Sequence, residues 1–131
     1  MQLECDDGLA CDTYPGALAH LVTNLVTNSL THAFDEGQRG SVRIGAAVEG
    51  EDVVLCHADD GKGIPPDALP HIFDPFFTTA RAQGGTGLGL HIAFNAVVSG
   101  LAGAIAVACP PEGGTVFTIR FPRIHPDASQ P

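Results

Sequence analysis

The sequence predicts an α/β two-layer sandwich, in which a mixed β-sheet carries helices on one face. Three observations lead there. Two segments, residues 17–34 and 87–99, place apolar side chains at helical spacing. Two pairs of short apolar or alternating runs, 41–48 with 53–58 and 104–108 with 115–121, are joined by polar Gly- or Pro-containing turns and read as hairpins. The strands and helices do not alternate regularly. No G-x-x-x-x-G-K-[ST] run occurs, nor a G-x-G-x-x-G between the first strand and the first helix, so a doubly wound or phosphate-loop fold is set aside.

Each element has its own grounds. Gln2 to Cys5 is a short strand candidate, followed by an Asp6-Asp7-Gly8 turn and an irregular stretch to Pro15, a residue suited to the first turn of a helix. The helix then shows an apolar stripe of Leu21, Val22, Leu25, Val26, Leu30 and Ala33. On another face His20, Asn24 and Asn28 recur at four-residue spacing, which stacks two amides one turn apart although Asn is a poor helix former. A solvated polar face and a ligand-lining face both fit that pattern.

The first hairpin turns at Glu49-Gly50-Glu51-Asp52, and its second strand delivers Asp59 at its end. Residues 61–85 read mostly as loop, broken by Pro65, Pro66 and Pro70, with a short helical turn between Ala68 and Phe73. The second helix carries Leu88, Leu90, Ile92, Ala93, Ala96 and Val97 and ends at Gly100. The last strand, TVFTIRF, alternates cleanly, and residues 124–131 read as a tail.

Bulk properties narrow the function. At 131 residues, 44% apolar and 16% charged, the chain is long enough for one globular domain with a core. A net charge of −9 argues against nucleic acid or an anionic membrane surface as partner, since both call for a basic face. None of the four cysteines (Cys5, Cys11, Cys56, Cys109) forms a C-x-x-C pair, so reduced thiols and a cytoplasmic setting are expected. No run approaches the ~18 apolar residues that cross a bilayer, and MQLECDD lacks the basic and apolar regions of a signal peptide. The domain itself is expected to make no membrane contact.

The chemistry concentrates between Asp59 and Leu90. That stretch opens on Asp59-x-Gly61-x-Gly63 and closes on Gly84-Gly85-Thr86-Gly87-Leu88-Gly89-Leu90. Glycines at this density let backbone approach a ligand closely. A carboxylate at a strand end accepts from an exocyclic amine, and successive free amides at a helix start suit phosphates. These features point to a nucleotide, though an acid-glycine turn and a glycine hinge are also common without one. Asn28 offers an oxygen suited to Mg²⁺, which takes only one or two protein oxygens beside phosphates and water. Asn24 cannot serve as a base, because an amide does not titrate. An acceptor with its own nucleophile is therefore more plausible than water.

The order of these pieces resembles the catalytic ATP-binding domain of two-component sensor histidine kinases, with the Bergerat-type fold also found in gyrase B, MutL and the ninety-kilodalton heat-shock chaperone. NLVTNSLTHAF, with Asn24 and Asn28, is similar to the asparagine box. DDGKGIP matches the first glycine box, IFDPFFTT (Ile72 to Thr79) the phenylalanine box, and GGTGLGL (Gly84 to Leu90) the second glycine box. GGTVFTIRFP (Gly113 to Pro122) matches the closing strand. The resemblance spans residues 2–123.

It implies a catalytic domain over 1–123, with an ATP lid at about 64–86 and a tail at 124–131. Asp59 is implied to bond the adenine amino group with Thr115 in support, and Gly61 and Gly63 to border the base. Asn28 is implied to bind Mg²⁺, with Asn24 on the phosphate side. The amides of Gly87, Leu88 and Gly89 would hold the phosphates, with Gly85, Thr86 and Leu90 also among the nucleotide-binding residues, and Arg81 would reach the γ-phosphate. Phe73, Phe76 and Phe77 are implied to anchor the lid.

The implied function is to bind Mg-ATP and donate the γ-phosphate to a histidine on a separate dimerisation and phosphoacceptor domain, which in turn passes it to a response regulator. The related ATPases carry a glutamate where Asn24 stands, which favours kinase over ATPase. A nucleotide-gated interaction module without phosphate transfer is the alternative. Thr31 and Ala80 stand where kinases often place basic residues, and Lys62 where a neutral one is common. None of the six histidines has an H-E-[LI]-[RK]-x-P context, so all are read as structural or supporting. The parent protein is expected to be longer, cytoplasmic in this part, and compatible with an inner-membrane anchor.

Overall fold

In the computed structural model, which describes residues 2–5, 15–29, 40–74 and 89–123, the elements follow the expected order. They are β1 (Gln2–Cys5), α1 (Pro15–Asn28), β2 (Val42–Glu49), β3 (Asp52–Asp59), α2 (Gly89–Asn95), β4 (Ala104–Ala108) and β5 (Thr115–Pro122), with one tight turn of helix at Leu69–His71 between β3 and α2. The strands form one sheet in the order β1-β2-β3-β5-β4. β1 runs parallel to β2 and the other neighbours are antiparallel, so the sheet is mixed.

β5 lies between β3 and its own hairpin partner β4, where a strand buried on one face and flanked on both sides is wanted. Its alternation provides that: Thr115, Phe117, Ile119 and Phe121 point inward and Thr118 and Arg120 outward. β3 alternates in the same phase, with Val53, Leu55, His57 and Asp59 buried. Those inward residues pack with Val42 and Ile44 of β2, with Leu21 and Leu25 of α1, and with Ala93, Val97 and Leu101 around α2. Full burial of a side chain such as Phe117 contributes about 1.5–3 kcal/mol, which is what holds the helical layer on the sheet. On the opposite face Arg120 reaches Asp52 and Glu49, each at 3.2 Å, joining the ends of β5, β3 and β2.

α1 begins at Pro15, whose missing N–H costs nothing in a first turn. Its core-facing residues step by four, Leu21, Leu25 and then Ser29. The expected extension to residue 34 lies outside the described residues. α2 ends differently from the expectation. After Asn95 the helix widens, and the Leu101 amide reaches back five residues to the Ala96 carbonyl at 2.9 Å. Gly100 is the last residue of that turn, but its smallness serves packing. A Cβ there would stand 2.6 Å from Ala17 Cβ, so glycine is what lets this turn lie against α1. The left-handed backbone that follows belongs to Ala102 (φ 58°). Ile92, expected on the apolar stripe, is 41% exposed, because the buried row runs Ala93, Val97, Leu101 and Ile92 is rotated off it.

Among the described residues no helix is long and apolar enough to cross a membrane.

Candidate functional site

The site is assembled where β3 and β5 end side by side. Asp59 closes β3 and is paired in register with Thr115, the first residue of β5, and with Val42 of β2. Asp59 and Thr115 are both buried, at 8% and 4% exposure. A buried carboxylate needs hydrogen bonds, and two are present. Ser29 Oγ, at the end of α1, donates to Asp59 Oδ2 at 2.9 Å, and the Gly61 amide donates to Oδ1 at 3.0 Å. The carboxyl is thereby pinned from both sides, and lone pairs remain for a further donor.

The glycines around it act by close approach. A Cβ on Gly114 (φ +85°) would collide with the Asp59 carbonyl oxygen, so only glycine lets the β4–β5 turn close against the end of β3. Gly63 (φ +77°) sits under the same turn. Its missing Cβ would lie 3.2 Å from the Gly114 carbonyl oxygen and 3.9 Å from Cys109 Sγ. Asp60 faces away, where its Oδ1 takes the Ser41 amide at 2.7 Å and anchors the start of β2.

The amide-bearing face of α1 supplies the other side. Asn24 and Asn28 are both half-buried. Asn24 Nδ2 donates to the His20 carbonyl at 2.7 Å, which orients the amide and leaves Oδ1 as an acceptor. That oxygen lies 3.5 Å from where a Cβ on Gly89 would stand, so the first turn of α2 closes on Asn24. Phe73, the described member of the phenylalanine box, packs its ring on Phe94 and Phe117, with centroids 5.4 and 6.3 Å apart. It is therefore a core anchor at this end of the sheet.

The structure thus brings Asp59, Gly61, Gly63 and Thr115 together, and Asn24 with Gly89. Arg81 and Gly85 to Leu88 lie outside the described residues, as do Phe76, Phe77, Thr31 and Ala80. Leu90 is half-buried and packs toward the core. Sequence reasoning missed Ser29. The signal was available: Ser29 continues the four-residue row of Leu21 and Leu25, and a polar residue on a buried row calls for a partner. His57, one of the six histidines read as structural or supporting, stands two residues before Asp59 on the same inward face. His57 is fully buried, lies edge-on to Phe117 at 6.2 Å, and neither ring nitrogen has a hydrogen-bond partner among the described residues. Burial pushes its pKa below the usual 6.5, against the opposing pull of the Asp59 charge and its own backbone. Cys56 and Cys109 are free thiols, and no group of three or more His, Cys, Asp or Glu side chains that could hold a metal occurs among the described residues.

A mixed sheet layered with helices, a buried acid at one strand end and an asparagine face opposite a glycine turn define a nucleotide-site architecture of the Bergerat type. Comparison with known proteins agrees. Residues 13–125 match the family described as histidine kinase-, DNA gyrase B-, and HSP90-like ATPase, and the chain belongs to that family. The catalytic domain of the histidine kinase ThkA superposes with a TM-score of 0.80 at 27% identity, over 94% of this chain and 78% of that one.

The signal transduction histidine-protein kinase AfsQ2 of Streptomyces coelicolor is 38% identical over 128 residues, which is 94% of this chain and 22% of that protein. The sensor histidine kinase ZraS of Salmonella typhimurium is 41% identical over 111 residues, 84% of this chain and 23% of that protein. The chain thus spans less than a quarter of the length of these relatives.

Proposed function

We propose that this chain is the ATP-binding catalytic domain of a sensor histidine kinase, which donates the γ-phosphate of ATP to a histidine on the dimerisation and phosphoacceptor domain of its parent protein. The observation that carries the reading is the buried Asp59 carboxylate, held by Ser29 and Gly61 with Thr115 paired beside it. A carboxylate fixed in this way accepts a hydrogen bond from the adenine amino group, where guanine presents a carbonyl. Thr115 supports that contact, and Gly63 and Gly61 leave room for the base. Arg81 and the amides of Gly87, Leu88 and Gly89 serve the phosphates.

Mg²⁺ fits the donors present. Asn28 and Asn24 offer neutral oxygens one helical turn apart, and the Asn24 amide is already oriented with its oxygen free. Asn28 would hold the ion, which, when bound, neutralises charge on the transferring phosphate. Neither amide can take a proton from water, so the chain's own residues bind and orient ATP while the acceptor brings the nucleophile. A response regulator is the downstream partner, and the domain works in the cytoplasm.

The test joins this chain to its upstream helical hairpin and supplies Mg-ATP. Acid-labile phosphohistidine on the hairpin is expected, and Asn28→Ala is expected to lose transfer while ADP binding falls far less. ATP hydrolysis by the isolated domain near about 1 s⁻¹, an ordinary enzyme turnover, with no phosphohistidine, would overturn the kinase reading in favour of an ATPase.

A further inference from the structure

The histidines outside the Asp59 end of the sheet include one that joins two separate parts of the site. His91 is in the first turn of α2, two residues after Gly89. Its Nδ1 lies 3.1 Å from the Phe73 carbonyl oxygen. Its Nε2 lies 3.2 Å from Asn95 Nδ2, one turn further along the same helix. A carbonyl can only accept, so Nδ1 carries the proton, and Nε2 is left as the lone pair that Asn95 donates to. The Phe73 carbonyl therefore fixes which nitrogen donates, and Asn95 caps the other end of the ring.

Phe73 is itself immobilised. Its ring is packed on Phe94 of α2 and on Phe117 of the central strand β5. The His91 bond thus ties the backbone at Phe73, midway along the β3–α2 connection, to the turn that carries Gly89. Gly89 in turn is the residue that closes on Asn24 Oδ1. Ring packing links Phe117 to Phe73, a hydrogen bond links Phe73 to His91, and the first turn of α2 carries His91 together with Gly89, which faces Asn24.

We infer that His91 is a positioning residue, which sets where the Gly89 turn stands against Asn24 and so controls the phosphate-dependent part of nucleotide binding. This rests on the reading of the site as an ATP site, with adenine at Asp59 and phosphates at Asn24. It predicts a separation that a merely structural residue would not produce. The adenine end is built from β3, β5, Ser29 and Gly61 and does not use His91, so adenosine binding is insensitive to the residue while ATP binding depends on it.

The experiment measures the affinities of ATP and of adenosine, in one Mg²⁺ buffer, for the wild-type chain, His91→Phe, His91→Asn and Asn95→Ala. His91→Phe keeps the ring but has no donor, and is expected to weaken ATP about five- to tenfold, the loss of one ordinary hydrogen bond, with adenosine unchanged. His91→Asn places an amide N–H where Nδ1 stands, for the Phe73 carbonyl, and is expected to restore most of the ATP affinity. Asn95→Ala removes only the partner at Nε2 and is expected to fall between. An unchanged ATP-to-adenosine ratio in His91→Phe, or a loss of both ligands together with a lower melting temperature, would overturn the assignment of His91 alone. Failure of the wild-type chain to bind either ligand would overturn the nucleotide reading and this inference with it.

Discussion

Replacing His57 with leucine is expected to stabilise the protein, although it changes a fully buried residue at the centre of the sheet. His57 is buried with two ring nitrogens that no described residue satisfies. One unpaired buried polar group costs about 1–3 kcal/mol. Leucine has a similar bulk, and an imperfect fit beside Phe117 costs under about 1.5 kcal/mol. The balance is a gain of about 1 kcal/mol at pH 7.5, worth about 4 °C in melting temperature for a domain of this size.

The pH dependence sharpens the test. Burial depresses the folded-state pKa of His57, so below pH 6.5 the unfolded chain takes up the proton and the folded protein resists it. The wild type therefore loses up to about 1.4 kcal/mol of stability per pH unit as pH falls from 6.5 toward the folded pKa, and His57→Leu does not. Urea unfolding of both proteins at pH 7.5 and 5.5 measures the two effects, because the difference between the proteins at each pH removes what they share. A variant that is less stable at pH 7.5 by 1 kcal/mol or more, with the same acid sensitivity as the wild type, would refute the reasoning by showing that the imidazole is satisfied where it stands.

Two further outcomes follow from the Asp59 end. Asp59→Asn turns an acceptor oxygen into an amide donor beside Ser29 and Gly61, and is expected to lower ATP affinity at least about tenfold with the circular dichroism spectrum unchanged; unaltered calorimetric affinity would remove Asp59 from the adenine contact. Gly114→Ala places a Cβ against the Asp59 carbonyl at a backbone angle of +85°, and is expected to cost about 1–3 kcal/mol in thermal unfolding; a neutral effect would mean that the β4–β5 turn can swing away from β3.

Both substitutions act on features of different legibility. Asp59 and Thr115 could be singled out from the sequence, one as the acid opening a glycine box and the other as the head of an alternating strand. That they are neighbours was implied by the family resemblance and by no local pattern. β4 and β5 form a hairpin in sequence, yet β5 pairs as fully with β3, and only this insertion brings Thr115 to Asp59. Gly100 shows the converse. Its place at a helix end was legible, but its reason, contact with Ala17 from a different helix, was not.

The sequence alone determined what is local. Helical and alternating periodicity set the kinds of element and their order, the glycines set where backbone can turn or approach, and Asn24, Asn28 and Asp59 set the chemistry on offer. Tertiary structure decided which of these residues meet. The Ser29 bond to Asp59 spans 30 residues and the His91 bond to Phe73 spans 18, and both depend on how the helical layer is seated on the sheet. Periodicity tells a side chain which face it occupies. Which partner stands across from it is settled only when the faces close on one another, since burial rewards any apolar match while a hydrogen bond requires one particular alignment.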